Sequence, residues 1–280
     1  MEMYLECAIC IQKQALQIGR IATDNERELE DILRKTMQFV VNEDWHKSPL
    51  EMGRSVQDII TEITGIEDPY KELKRQSDEA ALKLLPKVRK EMESASDPLK
   101  VAIKAAIAGN IMDFGALTSF DIEQTLHNVL SEDMELKDYE LFKEKLKSAR
   151  VLTYIADNAG EIVFDSILLE EIAKLKNIQK VVIVARDRPL INDVTLEDLR
   201  YTGIDKLPKV EVETLHIDGK RAIKEASQWI ETSDIVVSKG QGNYEMFSTL
   251  SGIFFLLMVK CDILSKDIGE PKGSAVLKYR

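Results

Sequence analysis

Val151-Leu152-Thr153-Tyr154-Ile155-Ala156, followed at once by Asp157-Asn158-Ala159-Gly160-Glu161 and then by a helical pattern from Ile162 to Leu175, decides how this chain is read. An apolar, β-branched run that breaks off into an acid, an amide and a glycine before a helix is the junction of a strand with a crossover helix. Such a junction sets hard oxygen donors at the mouth of a sheet. The same construction returns twice. One copy ends in Ala185-Arg186-Asp187-Arg188-Pro189 with Asn192-Asp193 close behind, the other in Ser238-Lys239-Gly240-Gln241-Gly242-Asn243.

Working outward, strand candidates are Val151 to Ala156, Val181 to Ala185, Val210 to Leu215, Ile235 to Val237, Ile253 to Val259 and Ala275 to Leu277. Helical segments between them include Ile162 to Leu175, Leu196 to Tyr201 and Ala222 to Ile230. Strand and helix in alternation predict an α/β fold with a doubly wound, mostly parallel sheet, because parallel strands need crossovers and the crossovers cover both faces. The last segments also allow an antiparallel edge. Before about residue 150 the rhythm is helical instead, as in Leu29, Ile32, Leu33, Met37 and Val40, with Pro49, Asp68-Pro69 and Asp97-Pro98 as punctuation. The pattern therefore divides into a helical domain, 1–148, packed on an α/β domain, 149–280.

The chain has 280 residues, 44% of them hydrophobic and 31% charged, which suits a globular protein with a substantial core and excludes a disordered one. Its longest apolar run, Ile253 to Val259, is too short to cross a bilayer, and the start lacks a secretory signal, so the reading is cytoplasmic with no membrane partner. A net charge of −11 argues against a nucleic-acid partner, which rewards clustered cations. It leaves room for a small phosphorylated ligand if a divalent cation or a local lysine intervenes. Three cysteines, Cys7, Cys10 and Cys261, carry no disulfide framework. Cys7-x-x-Cys10 reads as helix packing or a thiol pair, with half a zinc site or a redox pair as the alternative.

In an open α/β sheet ligands bind beyond the carboxyl ends of the strands, which is where the three polar clusters fall. Asp157 and Asn158 offer a carboxylate and an amide oxygen, and Asp193 offers a second carboxylate. Oxygen donors of this kind suit Mg²⁺ or Mn²⁺. Singly, Asp193 also reads as a helix cap and Asp157 to Gly160 as a turn. Ser238-Lys239-Gly240-Gln241-Gly242-Asn243 reads as a phosphate cradle, with Lys239 as its cation and glycines that let backbone N–H groups approach an anion, or as a plain turn. It is not a Walker A loop, and no Gly-x-Gly-x-x-Gly follows Tyr154. In the helical half, Gly109-Asn110-Ile111-Met112-Asp113-Phe114-Gly115 reads as a glycine-stopped helix end whose Asn110 and Asp113 face the sheet's mouth, or as a capped turn. Gly115 to Phe120 is a lid or a loop.

Together these motifs resemble the DUF89 family of metal-dependent damage-control phosphatases. The likeness rests on Asp157-Asn158-Ala159-Gly160-Glu161, Ala185-Arg186-Asp187-Arg188-Pro189 with Asn192-Asp193, Ser238 to Glu245, Gly109-Asn110-x-x-Asp113, Asp68-Pro69-Tyr70 and the early Cys-x-x-Cys, which is similar to that of the compact prokaryotic branch. It spans nearly the whole chain. The resemblance implies a helical domain on a Rossmann-like α/β domain and a divalent cation (Mn²⁺, Co²⁺, Ni²⁺ or Mg²⁺) on Asp157, Asn158 and Asp193. It also implies phosphomonoester hydrolysis of sugar phosphates or damaged phosphometabolites. By the same match Lys239 contacts the phosphate, with Asn110 and Asp113 near it; Glu161, Arg186, Ser238, Gly240, Gln241, Gly242 and Asn243 complete the expected substrate contacts. The attacking group is either Asp157 or a water. Other readings of the same loops are an S-adenosylmethionine-dependent methyltransferase and a non-catalytic phosphometabolite-binding module.

Overall fold

A computed structural model describes residues 1–111, 130 and 136–280, the side chains of 110 and 111 excepted. The helical part comprises α1 (Leu5–Ala22), α2 (Glu26–Asn42), α3 (Pro49–Thr64), α4 (Lys71–Glu93), α5 (Pro98–Ile111) and α6 (Tyr139–Leu146). Pro49 and Pro98 open α3 and α5, as their fixed φ and missing donor allow, whereas Pro86 lies inside α4. Pro49 is the first residue of α3, behind a Ser48–Glu51 capping box in which each partner satisfies the other's backbone N–H.

Alternation then begins with β1 (Val151–Ile155) and α7 (Glu161–Lys174), followed by β2 (Lys180–Arg186), α8 (Leu196–Thr202), β3 (Val210–Leu215) and α9 (Gly219–Thr232). It continues through β4 (Ile235–Lys239), α10 (Gly240–Phe247), β5 (Ile253–Met258), α11 (Asp262–Ile268) and β6 (Ala275–Tyr279). The strands form one sheet in the order β3-β2-β1-β4-β5-β6. β1 to β5 pair in parallel, and β6 closes the edge antiparallel to β5. The doubly wound reading holds, antiparallel edge included.

Side chains alternate between the two faces of the sheet. Leu152 and Tyr154 join one apolar cluster with Ile107, Ile162 and Phe164, whereas Ile155, Val182 and Val236 join another with Trp229, Tyr244 and Phe247. The first cluster also contains Leu84, Val88 and Phe142, so helices on both sides of residue 148 share one core. The change at that point is one of element type and not of packing. Helices α1 to α3 carry a smaller cluster of their own around Ile18, Met52 and Val56.

Two local expectations change. The predicted glycine loop after β4 is already the first turn of α10, which starts at Gly240. Gly109 does not stop its helix either: α5 continues to Ile111, and a Cβ at Gly109 would meet the Glu161 backbone at 3.0 Å. That glycine is a close approach between α5 and α7. Asp113 and the Gly115 to Phe120 segment lie outside the described residues, as does the side chain of Asn110.

Candidate active site

β1 and β4 are neighbours whose following connections leave in opposite directions, so a cleft opens above their carboxyl ends. The β1 loop is pinned on the sheet side by backbone bonds. Ala156 N donates to Val184 O at 2.9 Å, Val194 N to Asp157 O at 2.8 Å, and Ala159 N to Asn192 O at 2.9 Å. An isolated antiparallel bridge between Asn158 and Asp193 follows from this pairing. Asp157, Asn158 and Asp193, 36 residues apart at the extremes of the sequence motif, thereby stand on one wall.

Each of the three is held in a defined orientation. Asn158 Nδ2 donates to Asp157 Oδ2 at 2.7 Å and to Glu161 Oε2 at 3.0 Å, which uses both amide protons and leaves the amide oxygen for another partner. Arg186 Nε donates to Asp193 Oδ2 at 2.5 Å, and Arg186 Nη2 donates to Asn243 Oδ1 at 2.8 Å. Asn243 in turn donates to Ala156 O and Lys239 O. The Asp157 carboxyl packs against the α-carbon of Gly240, whose φ is +78°; a Cβ there would stand 1.8 Å from Asp157 Oδ2. Only glycine serves at this position, for backbone conformation and for space.

Acidic groups crowd this wall. Burial drives the Asp157 carboxyl well above the ordinary carboxylate range, and repulsion from Glu161 and Asp193 adds to it. Burial raises Asp193 as well, against the pull of Arg186. Beneath them Lys239 is fully buried, its Nζ 2.7 Å from Glu161 Oε1, 2.6 Å from Asp165 Oδ1 and 2.9 Å from Ala106 O. Burial disfavours that ammonium, but Asp165 and Glu161 outweigh the penalty and raise its pKa. Asp165 is pushed up to about 7 by burial, with Lys239 opposing.

Above the wall lies a cavity of about 500 Å³ roofed by α1 and α3. Residues 3–276 match the damage-control phosphatase ARMT1-like domain family. The chain belongs to this family, the DUF89 family. It is 32% identical to a damage-control phosphatase of Archaeoglobus fulgidus, over 97% of each chain. It is also 32% identical to a damage-control phosphatase of Pyrococcus horikoshii, over 99% of this chain and 97% of the relative. The crystal structure of a DUF89 family protein from Pyrococcus horikoshii superposes with a TM-score of 0.89 at 30% identity, covering 100% of this chain and 99% of that one.

Within this DUF89 chain, the residues read from the sequence divide by depth. Asp157, Asn158, Asp193, Gln241 and Gly242 line the cavity. Glu161, Arg186, Ser238, Lys239 and Asn243 do not; they are buried beneath it, at 2% exposure or less. The sequence motif points Lys239 at a phosphate, yet its donors face Glu161, Asp165 and the Ala106 carbonyl. Arg186, a substrate contact by the same motif, instead braces Asp193. Among the described residues the side-chain cations that line the cavity are Lys13 from α1 and Lys260 just past β5. Lys260 favours the ionised form of Asp157. No motif marked these lysines, because each depends on where a distant element packs. All three cysteines also line this cavity, as free thiols. Among the described residues no three His, Cys, Asp or Glu side chains converge as a metal site, and no helix is long and apolar enough to cross a membrane.

Proposed function

We propose that this protein is a divalent-metal-dependent phosphatase that hydrolyses small phosphate esters of the sugar-phosphate or damaged-phosphometabolite kind. The observation that carries the reading is the convergence of Asp157, Asn158 and Asp193 on one wall of a cavity at the switch point of the sheet. The names of the relatives from Archaeoglobus fulgidus and Pyrococcus horikoshii support phosphate-ester chemistry.

The donor set fits a hard cation such as Mn²⁺, Co²⁺, Ni²⁺ or Mg²⁺. Two buried carboxyls raised by burial and by repulsion from neighbouring acids are relieved by a dication, and the Asn158 amide oxygen is left for another partner. Bound there, the cation supplies charge neutralisation at the phosphoryl oxygens and a more acidic water. The chain supplies the rest. Arg186 and Glu161 hold Asp193 and Asn158 in ligating orientation, as outer partners of metal ligands do. Lys260 and Lys13 offer cations to the anionic ester, and the first turn of α10, with Gln241 and Gly242 on the cavity, offers a helix N-terminus. Neutral amides at Gln14, Gln17 and Asn192 suit the hydroxyls of a small polyol.

Turnover of p-nitrophenyl phosphate and of a panel of sugar phosphates, with and without Mn²⁺, tests the reading, alongside a thermal-shift titration with Mn²⁺. Metal-dependent turnover lost in both Asp157→Ala and Asp193→Ala is expected. Undiminished metal-dependent turnover in those variants refutes the site.

A further inference from the structure

We propose that Asp78, in the N-terminal half of α4, is a positioning residue for the Asp157–Gly160 loop, which it holds from the helical layer. The proposal builds on the reading of that loop as the ligand-bearing one. Asp78 is fully buried, and its Oδ1 accepts the Gly160 N–H at 2.6 Å across 82 residues of sequence. Gly160 has φ +74° and stands immediately before α7, so this amide points out of the helix end, where an acidic partner is favoured by the local dipole as well as by the bond itself.

The other backbone anchors of the loop come from the sheet layer. They are the bonds from Ala156 to Val184, from Val194 to Asp157 and from Ala159 to Asn192, described above. These fix the loop up to Ala159. Gly160 is where the chain turns into α7, and the turn sets the Asn158 and Glu161 side chains relative to one another; Asp78 grips that turn. An anchor from α4 makes the loop's shape depend on how the helical layer is seated.

The Gly160 amide is the hydrogen-bond partner that Asp78 has. Asp78 Oδ2 is buried without a hydrogen-bond partner, and the nearby ammonium, Lys74, is committed to Asp68 at 2.9 Å and Asp198 at 3.0 Å. A carboxyl carried at such a cost, with one oxygen satisfied only by the loop, is accounted for by the loop. It touches no expected ligand residue directly, so its effect is transmitted through Gly160.

Three variants and two readouts test this. Asp78→Asn keeps an acceptor for Gly160, whereas Asp78→Ala and the near-isosteric Asp78→Leu remove it. Mn²⁺ affinity is measured by electron paramagnetic resonance, and amide exchange of the 156–165 segment by hydrogen–deuterium exchange. In Asp78→Ala and Asp78→Leu we expect Mn²⁺ affinity roughly 10- to 100-fold weaker and faster exchange at Gly160, with Asp78→Asn restoring both to near wild type. Wild-type affinity and exchange in the Ala and Leu variants overturn the proposal. If those two fail to fold, the Asn variant and the wild type still decide: loss of Mn²⁺ binding in Asp78→Asn, or a Gly160 amide in wild type that exchanges as an exposed one, overturns it. A wild-type protein that binds no Mn²⁺ defeats the metal reading alone, because the exchange measurement reads Asp78 without the metal.

Discussion

Gly240→Ala is the sharpest perturbation available, because one methyl group acts on backbone and site together. With φ at +78°, an alanine at 240 occupies the left-handed region, which costs about 1–2 kcal/mol for a residue with a Cβ. The new Cβ also falls 1.8 Å from Asp157 Oδ2 and 2.1 Å from its Cγ, well inside contact distance. Relief requires the Asp157 carboxyl to move by more than an ångström, since its backbone is tied to Val194. Overpacking of this kind adds roughly 1–3 kcal/mol, and a displacement of about 1 Å in a catalytic group can cost on the order of 100-fold in rate. Gly203→Ala is the matched control: its φ is +74°, and a Cβ there meets nothing within 4 Å. The assay pairs urea unfolding with Mn²⁺-dependent turnover of p-nitrophenyl phosphate. Both variants should lose stability, Gly240→Ala more, and only Gly240→Ala should lose turnover, by about two orders of magnitude. Equal turnover in the two variants would refute the argument that Gly240 exists to seat Asp157.

Three further outcomes follow from the charge arrangement. Lys239→Met leaves Glu161 and Asp165 buried without their cation, so unfolding free energy should fall by about 3–5 kcal/mol, with partial recovery in the Lys239→Met, Asp165→Asn double variant; a stable Lys239→Met protein that merely loses phosphate affinity would show that the ammonium belongs to the substrate after all. Asp78 is raised to about 7 by burial, which means that the folded state binds more protons than the unfolded one above ~4 and that stability is lost as pH rises from there to about 7. Asp165 acts in the same window, so metal-free urea melts across it should retain a slope in Asp78→Asn that is shallower by up to a few kcal/mol; identical slopes would contradict the assignment. Lys260→Ala removes an exposed cation from the cavity wall, so KM for a phosphate ester should rise about tenfold while thermal stability stays close to wild type, and an unchanged KM would place the anion elsewhere.

The architecture was legible because its determinants are local. Each strand from β1 to β5 is a short β-branched or apolar run, and each crossover carries helical spacing, so the alternation from Val151 onward appears without any contact information. The ligand-bearing motif is equally local: Asp157 and Asn158 are adjacent, and Asp193 lies just beyond the next strand. Glycines misled the reading in two places. In sequence Gly109 and Gly240 look like breakers, yet one sits inside α5 and the other opens α10, because the demand each meets is the approach of a residue far away in the chain, Glu161 and Asp157.

What the chain order by itself determined is the alternating fold and the convergence of its polar strand ends, since both follow from periodicity and from the rule that parallel strands deliver their loops to one edge. Tertiary structure alone decided which charges are at the surface of the site and which are beneath it. Lys239 and Lys260 are chemically alike and each stands at the end of a strand, but packing of α5 and α7 seals the first against Glu161 and Asp165 while the second stays open to the cavity. Burial sets the energy of a charge, and burial is a property of neighbours that sequence spacing does not bring together.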